Sequence, residues 1–338
     1  MRLEKYDSRQ YPALSVAARK VGASSLLNKD FVDYYYLAQP WSELHLAFEE
    51  DGSCAAFIGW ERLRFEQNGQ EVPIGFATNF FTLKPGMGGF LWLQWMKSCS
   101  FGLVFGGSEQ THQIVRKQNF TYYPGMYVYT MNGRYSMYPG EPVWRNTLKR
   151  VLRHFVRRQL RSYKTRSFER ESASITIEEI GSRNASRIEA NCFSFRFAPK
   201  EDYLRWRYNS ELGFVRYRWF NIFEQTKRVG YCVINDAPAQ VIVAHSDGID
   251  PKKLAYGILK AVFRVAENDE KKRTALLVSS HPAMQEIFTR YGFELDADRP
   301  MAIGSLRAKP NLEDPQHWLI NFGLGDNDLR SFIFHSKQ

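Results

Sequence analysis

Apolar and polar positions along the chain fall into two blocks of similar grammar. His45–Glu50, Cys54–Arg64 and Val72–Leu83 read as strands, and the EDGS and NGQ turns between them are hairpin signals. Val215–Glu224, Arg228–Ile234 and Ala239–Ser246 repeat the arrangement, joined by EQTK and NDAP. A short strand opens each block, at Arg2–Tyr6 and Ser174–Ile180, followed by helical segments. Helices are predicted over Gly89–Ser98 and Pro251–Glu267.

Those helices lead into a repeated unit. Leu103–Phe120 reads LVFGGSEQTHQIVRKQNF, and Leu276–Phe293 reads LLVSSHPAMQEIFTRYGF, without a gap and at an offset of 173 residues. Each copy predicts a buried strand, a small-residue turn, an amphipathic helix and a Gly/Asn stop. The order β, α, α, β, β, β, α, β, α, β is thus predicted twice. It describes an antiparallel meander feeding a βαβ unit: an α/β chain of mixed sheets with helices on both faces. The length of 338 residues suits two such domains. The expected boundaries are 1–140, a linker at 141–172, and 173–338.

Composition narrows the class. Hydrophobic residues at 44% and charged residues at 24% are ordinary for a globular chain and exclude global disorder. The four cysteines form no CxxC or Cys/His cluster, so neither a disulfide scaffold nor a metal site is expected. No apolar run approaches the ~20 residues of a membrane span, and MRLEKYDSRQ lacks a signal-peptide core. A cytoplasmic protein is the expectation. The net charge of +10 is local: between Arg145 and Arg170 ten Lys/Arg face one acid, Glu169. Leu148, Val151, Leu152, Phe155, Leu160 and Tyr163 fall on one side of a helix there, with Arg150, Arg153, Arg157, Arg161 and Lys164 on the other. Three readings of this basic helix stand together. Its apolar side packs on the protein, it lies on an anionic membrane at the inner face, or it binds nucleic acid such as tRNA.

SSHPAMQEIFTRYGFE (279–294) looks like the closing motif of the GNAT fold, the Gcn5-related N-acetyltransferases, and TLKPGMGGFLWLQWM (82–96) looks like that family's phosphate loop. The resemblance covers most of the chain as two tandem GNAT-like domains. It implies acyl transfer from acetyl-CoA or another acyl-CoA to an amine, with the cofactor's pyrophosphate at a Gly-rich turn where a helix begins. The cofactor-binding residues it implies are Lys84, Gly86, Met87, Gly88 and Gly89. The chain departs from the pattern in several places. Leu83 stands where the family has Arg or Gln, and DGIDPKKLAYG (247–257) lacks paired glycines. Val115 and Phe288 occupy the position of the tyrosine that many members use as general acid. DYLRWRYNS (202–210) and HWLINFGLGDND (317–328) resemble segments of GNAT-like proteins encoded near surface-polysaccharide genes, which implies an amino-sugar or sugar-nucleotide acceptor. Tandem GNAT domains also resemble the Fem family, which uses aminoacyl-tRNA. A catalytically degenerate pair that binds a glycan or a partner is a further alternative.

Three residues are candidates for proton transfer. His245 and Asp247 lie near the end of a predicted inner strand, and His112 lies in the helix of the first repeat copy. Candidates for the acceptor are Trp206, Arg207, Arg216, Arg218 and Asp326. Arginine grips phosphate or carboxylate, aromatic rings stack on sugars, and Asp326 is suited to an amine or to a turn. In FVRYRWF (214–220), alternation predicts Arg216 and Arg218 on one face of a strand, with Val215, Tyr217 and Trp219 on the other.

Overall fold

The computed structural model describes residues 2–124, 126–131, 166–267, 273–298, 301–307, 311–312, 315–324 and 328–329. The first half runs β1 (Arg2–Lys5), α1 (Tyr11–Val21), α2 (Lys29–Leu37), β2 (Ser42–Phe48), β3 (Cys54–Gln67), β4 (Gln70–Thr82), α3 (Met87–Ser98), β5 (Phe101–Phe105), α4 (Glu109–Arg116), β6 (Phe120–Tyr123) and β7 (Tyr127–Met131). The second runs β8 (Ile175–Ile180), β9 (Phe195–Phe197), α5 (Glu201–Arg207), β10 (Tyr217–Glu224), β11 (Lys227–Asp236), β12 (Gln240–Gly248), α6 (Pro251–Glu267), β13 (Thr274–Ser279), α7 (Pro282–Arg290), β14 (Glu294–Asp298), β15 (Met301–Gly304) and β16 (Trp318–Leu319). Local chemistry sets several boundaries. Asn68 and Gly69 take positive φ in the two-residue β3–β4 turn. The Asn28 side chain caps α2 by accepting from the Phe31 N–H. Gly22 ends α1 in the left-handed region.

The strands form two mixed sheets. One has the order β1-β2-β3-β4-β5-β15-β6, extended by β9 and β16; the other has the order β14-β7-β13-β12-β11-β10-β8. Each half completes the other's sheet. β7, from the first half, lies between β13 and β14, pairing Val128 with Val278. β15, from the second, lies between β5 and β6, pairing Ile303 with Leu103. The two sheets share an inner core that includes α2 and α5, rich in Tyr35, Tyr203, Trp206, Tyr217, Trp219 and Trp318. α3 and α4 cover the outer face of the first sheet, and α6 and α7 that of the second.

Of the basic segment 145–170, only 166–170 falls within the described residues. It is helical and buries Phe168 against Tyr256, Phe263 and Tyr291. Among the described residues no helix is long and apolar enough to cross a membrane.

Candidate active site

In both sheets the two parallel central strands pair over three residues and then part. β4 and β5 pair from Ile74/Phe101 to Phe76/Leu103, and β12 and β13 from Gln240/Thr274 to Ile242/Leu276. Just past each parting the first strand of the pair, β4 or β12, bulges. The register between β3 and β4 jumps from Gly59/Thr78 to Phe57/Phe81, with Asn79 at φ 44°. That between β11 and β12 jumps from Val233/His245 to Ile234/Val243. A parted edge offers backbone N–H and C=O groups to an extended ligand.

The two clefts differ in what they present. In the first, Gly86 stands just before α3 as its N-cap, adopts φ 83° and supplies no capping side chain. A Cβ added at Gly89 would meet nothing within 4 Å, and one at Gly88 would touch Phe80 and Thr82 only at an ordinary 3.5 Å. The protein's own packing therefore does not demand these glycines, and they leave room for a ligand to approach the first turn of α3. No acidic residue occupies that turn, so its N–H groups and the helix dipole favour an anion. The chemistry fits a pyrophosphate. Lys84 is exposed beside this turn in an ion pair with Glu49, and Met87 is buried beneath it.

The second cleft is occupied by the chain itself. At its helix start the Asp250 carboxylate accepts from the N–H groups of Lys252 and Lys253, both at 2.9 Å. Along the parted edge of β12, Gly323 N–H donates to the Ala244 carbonyl at 2.8 Å. Asn321 Oδ1 accepts from Ser246 N–H at 2.8 Å, and its Nδ2 donates to the Ser246 carbonyl at 3.2 Å. A Cβ on Gly323 would lie 2.6 Å from the Ala244 oxygen, so only glycine fits there. Asp328 anchors the far end of this segment. It pairs with Arg207, accepts from Tyr217 Oη at 2.7 Å, and its carbonyl accepts from Asn235 Nδ2.

The residues expected to transfer protons are not gathered at the glycine turn. His245 is fully buried on β12, against Phe197, Tyr208 and Tyr231, with Nε2 2.9 Å from Tyr231 Oη. Burial, with Arg196 and Arg207 nearby, pushes its pKa down to about 3, so the ring is neutral and sealed from an amine in solution. Asp247 is buried against Arg196, which also grips Glu66 of β3 and so bridges the two sheets. Burial raises the Asp247 carboxyl to about 7 against the pull of Arg196. His112 is buried on α4 with Nδ1 2.9 Å from Tyr122 Oη, and burial lowers its pKa.

The expected acceptor residues divide. Trp206 and Arg207 lie inside the shared core, where tight packing and the Asp328 pair hold them, and do not line an open surface. Arg216, just before β10, and Arg218, on it, lie on the side opposite the buried Val215, Tyr217 and Trp219, and they reach Asp236 and Glu179. Asp326 lies outside the described residues. Val115 and Phe288 are buried under their sheets, as apolar residues at those helix positions should be. Sequence reasoning did not single out Tyr36, Thr78 and Asn79, which cluster at the first cleft. The Tyr36 hydroxyl lies 3.2 Å from Thr78 Oγ1 and accepts from Asn79 Nδ2 at 2.9 Å. Among the described residues no group of three His, Cys, Asp or Glu is placed to hold a metal.

No family profile and no curated protein sequence matches the chain. Solved structures do. N-myristoyltransferase of Saccharomyces cerevisiae, with bound myristoyl-CoA, aligns over 94% of this chain and 87% of its own, at a TM-score of 0.58 and 9% identity. A probable N-acyltransferase of Enterococcus faecalis aligns over 90% and 73%, at 0.53 and 10%. A tandem GNAT protein from the clavulanic acid biosynthesis pathway aligns over 91% and 100%, at 0.50 and 9%. The fold is therefore the α/β GNAT fold, present twice in one chain. Each of the two sheets carries one parting of its central strands and one bulge.

Proposed function

We propose that the chain is an acyl-CoA-dependent N-acyltransferase, and that its first half holds the acyl-CoA. The contrast between the clefts carries this reading: the first offers an uncapped helix start at a glycine turn, while the second is filled by Asp250, Asn321 and Gly323. Pyrophosphate would sit at Gly86–Gly89, and the thioester arm would run back along the free edge of β4 toward Thr78. In that position the backbone can polarise the thioester carbonyl and hold it for direct attack by an amine. The acceptor we propose is the amine of an amino sugar or sugar-nucleotide of surface-polysaccharide synthesis. That choice rests on the DYLRWRYNS and HWLINFGLGDND resemblance. Both segments serve here as scaffold, closing the second cleft and tying it to the shared core.

Release of free CoA thiol from acetyl-CoA, measured against a panel of amino sugars and sugar-nucleotides, tests the acceptor class. Release that depends on one of them supports the assignment. Release with simple amines or peptides, and none with sugars, would contradict it.

A further inference from the structure

Thioester aminolysis leaves a thiolate that must be protonated, and the α4 and α7 positions that would supply a tyrosine hold Val115 and Phe288 instead. The structure points to another donor. α2 and α5 pack against each other as counterparts of the two halves: Tyr34 stacks on Trp206 with ring centroids 6.3 Å apart and an interplanar angle of 21°, and its hydroxyl donates to the Trp206 carbonyl at 2.7 Å. Two residues further on in each half stand Tyr36, on α2, and Tyr208, just past the end of α5. Each is fully buried beside its own cleft.

In the second half the occupant of the cleft shows what such a hydroxyl does. Tyr208 Oη donates at 3.2 Å to the carbonyl of Gly323, the residue whose N–H bonds the parted edge of β12. In the first half, Tyr36 Oη sits against Thr78, two residues past the last β4–β5 pair, where an arm anchored at Gly86–Gly89 would end. Asn79 Nδ2 donates to the same oxygen at 2.9 Å and holds the hydroxyl in place. The sequence keeps this cluster clear. A Cβ on Gly59 would lie 2.3 Å from Thr78 Oγ1 and 2.7 Å from Tyr36 Oη.

We propose that the Tyr36 hydroxyl is the proton donor to the CoA thiolate in the first half, an inference that rests on the acyl-CoA reading above. The acceptor nitrogen bonds to the acyl carbon and the carbon–sulfur bond breaks with its electron pair going to sulfur. Sulfur takes the Tyr36 proton, and the proton lost by the acceptor nitrogen restores the phenol.

The test needs no acceptor. Coenzyme A itself is bound to the protein, and its thiol is titrated by the ultraviolet absorbance of the thiolate. A donor at the sulfur favours the thiolate, so the bound thiol should titrate below free CoA, and Tyr36→Phe should move it back up by about one pH unit. Gly59→Ala, which displaces the hydroxyl and keeps it, should shift the titration the same way. If wild type and Tyr36→Phe both bind CoA and titrate alike, the proton-donor role is overturned alone. If the wild-type protein binds no CoA, the acyl-CoA reading falls and this proposal with it.

Discussion

At the scale of the residue, burial and pairing in the shared core set the properties of several chemistry-bearing side chains that the sequence offers. His245 is the clearest case. Unfolded, it takes up a proton near pH 6.5; folded, not until about pH 3, because burial disfavours the imidazolium. Its contribution to stability is whole above pH 6.5 and declines by about 1.4 kcal/mol per pH unit as the pH falls toward 3. Asp247 works in the opposite direction: its raised folded pKa costs stability as pH rises from 3.8 toward 7. Removing the histidine isolates its own share. Between pH 6.5 and pH 5 the wild-type protein should lose about 2 kcal/mol more stability than His245→Gln, measured by denaturant unfolding. Parallel losses in the two proteins would show that His245 is protonated in the folded state. The alternation in FVRYRWF did place Arg216 and Arg218 correctly against Val215, Tyr217 and Trp219. Their partners were not legible, because Asp236 and Glu179 reach them through sheet pairing and not through neighbouring sequence.

At the scale of the element, period-two strands, hairpin turns and the repeated βαβ unit were readable because each is fixed by local chemistry: Asn68–Gly69 makes its turn wherever it stands. The glycine turn before α3 was readable for the same reason, although the helix begins at Met87 and not Gly89. The fate of the second cleft was not. HWLINFGLGDND reads as a closing strand, yet among its described residues only Trp318–Leu319 pairs as one, on β9. Asn321 and Gly323 satisfy the edge of β12 through a side-chain amide and a glycine N–H, a solution with no periodicity to detect. Asn321→Ala would leave the Ser246 N–H buried without its acceptor, at a cost of about 1–3 kcal/mol, and would speed amide exchange at Gly323. Unchanged stability and exchange would mean that the segment does not hold the cleft closed.

At the scale of the molecule, the exchange of β7 and β15 makes each sheet depend on both halves, and the Arg196 bridge from Glu66 to Asp247 spans the same boundary. Duplication was visible in the offset repeat. The exchange was not, since a strand carries no mark of which sheet it will join. The result is an asymmetric pair: one half has an uncapped helix start at a glycine turn before α3, while the other has its helix start capped by Asp250 and its β12 edge bonded by Asn321 and Gly323. The measurement that bears on this most directly is calorimetric titration with acetyl-CoA, repeated with longer acyl-CoAs and on Gly88→Arg. The account predicts one acyl-CoA per chain, with binding abolished by Gly88→Arg and no loss of thermal stability. Two sites per chain, binding that survives Gly88→Arg, or no binding of any acyl-CoA would contradict it.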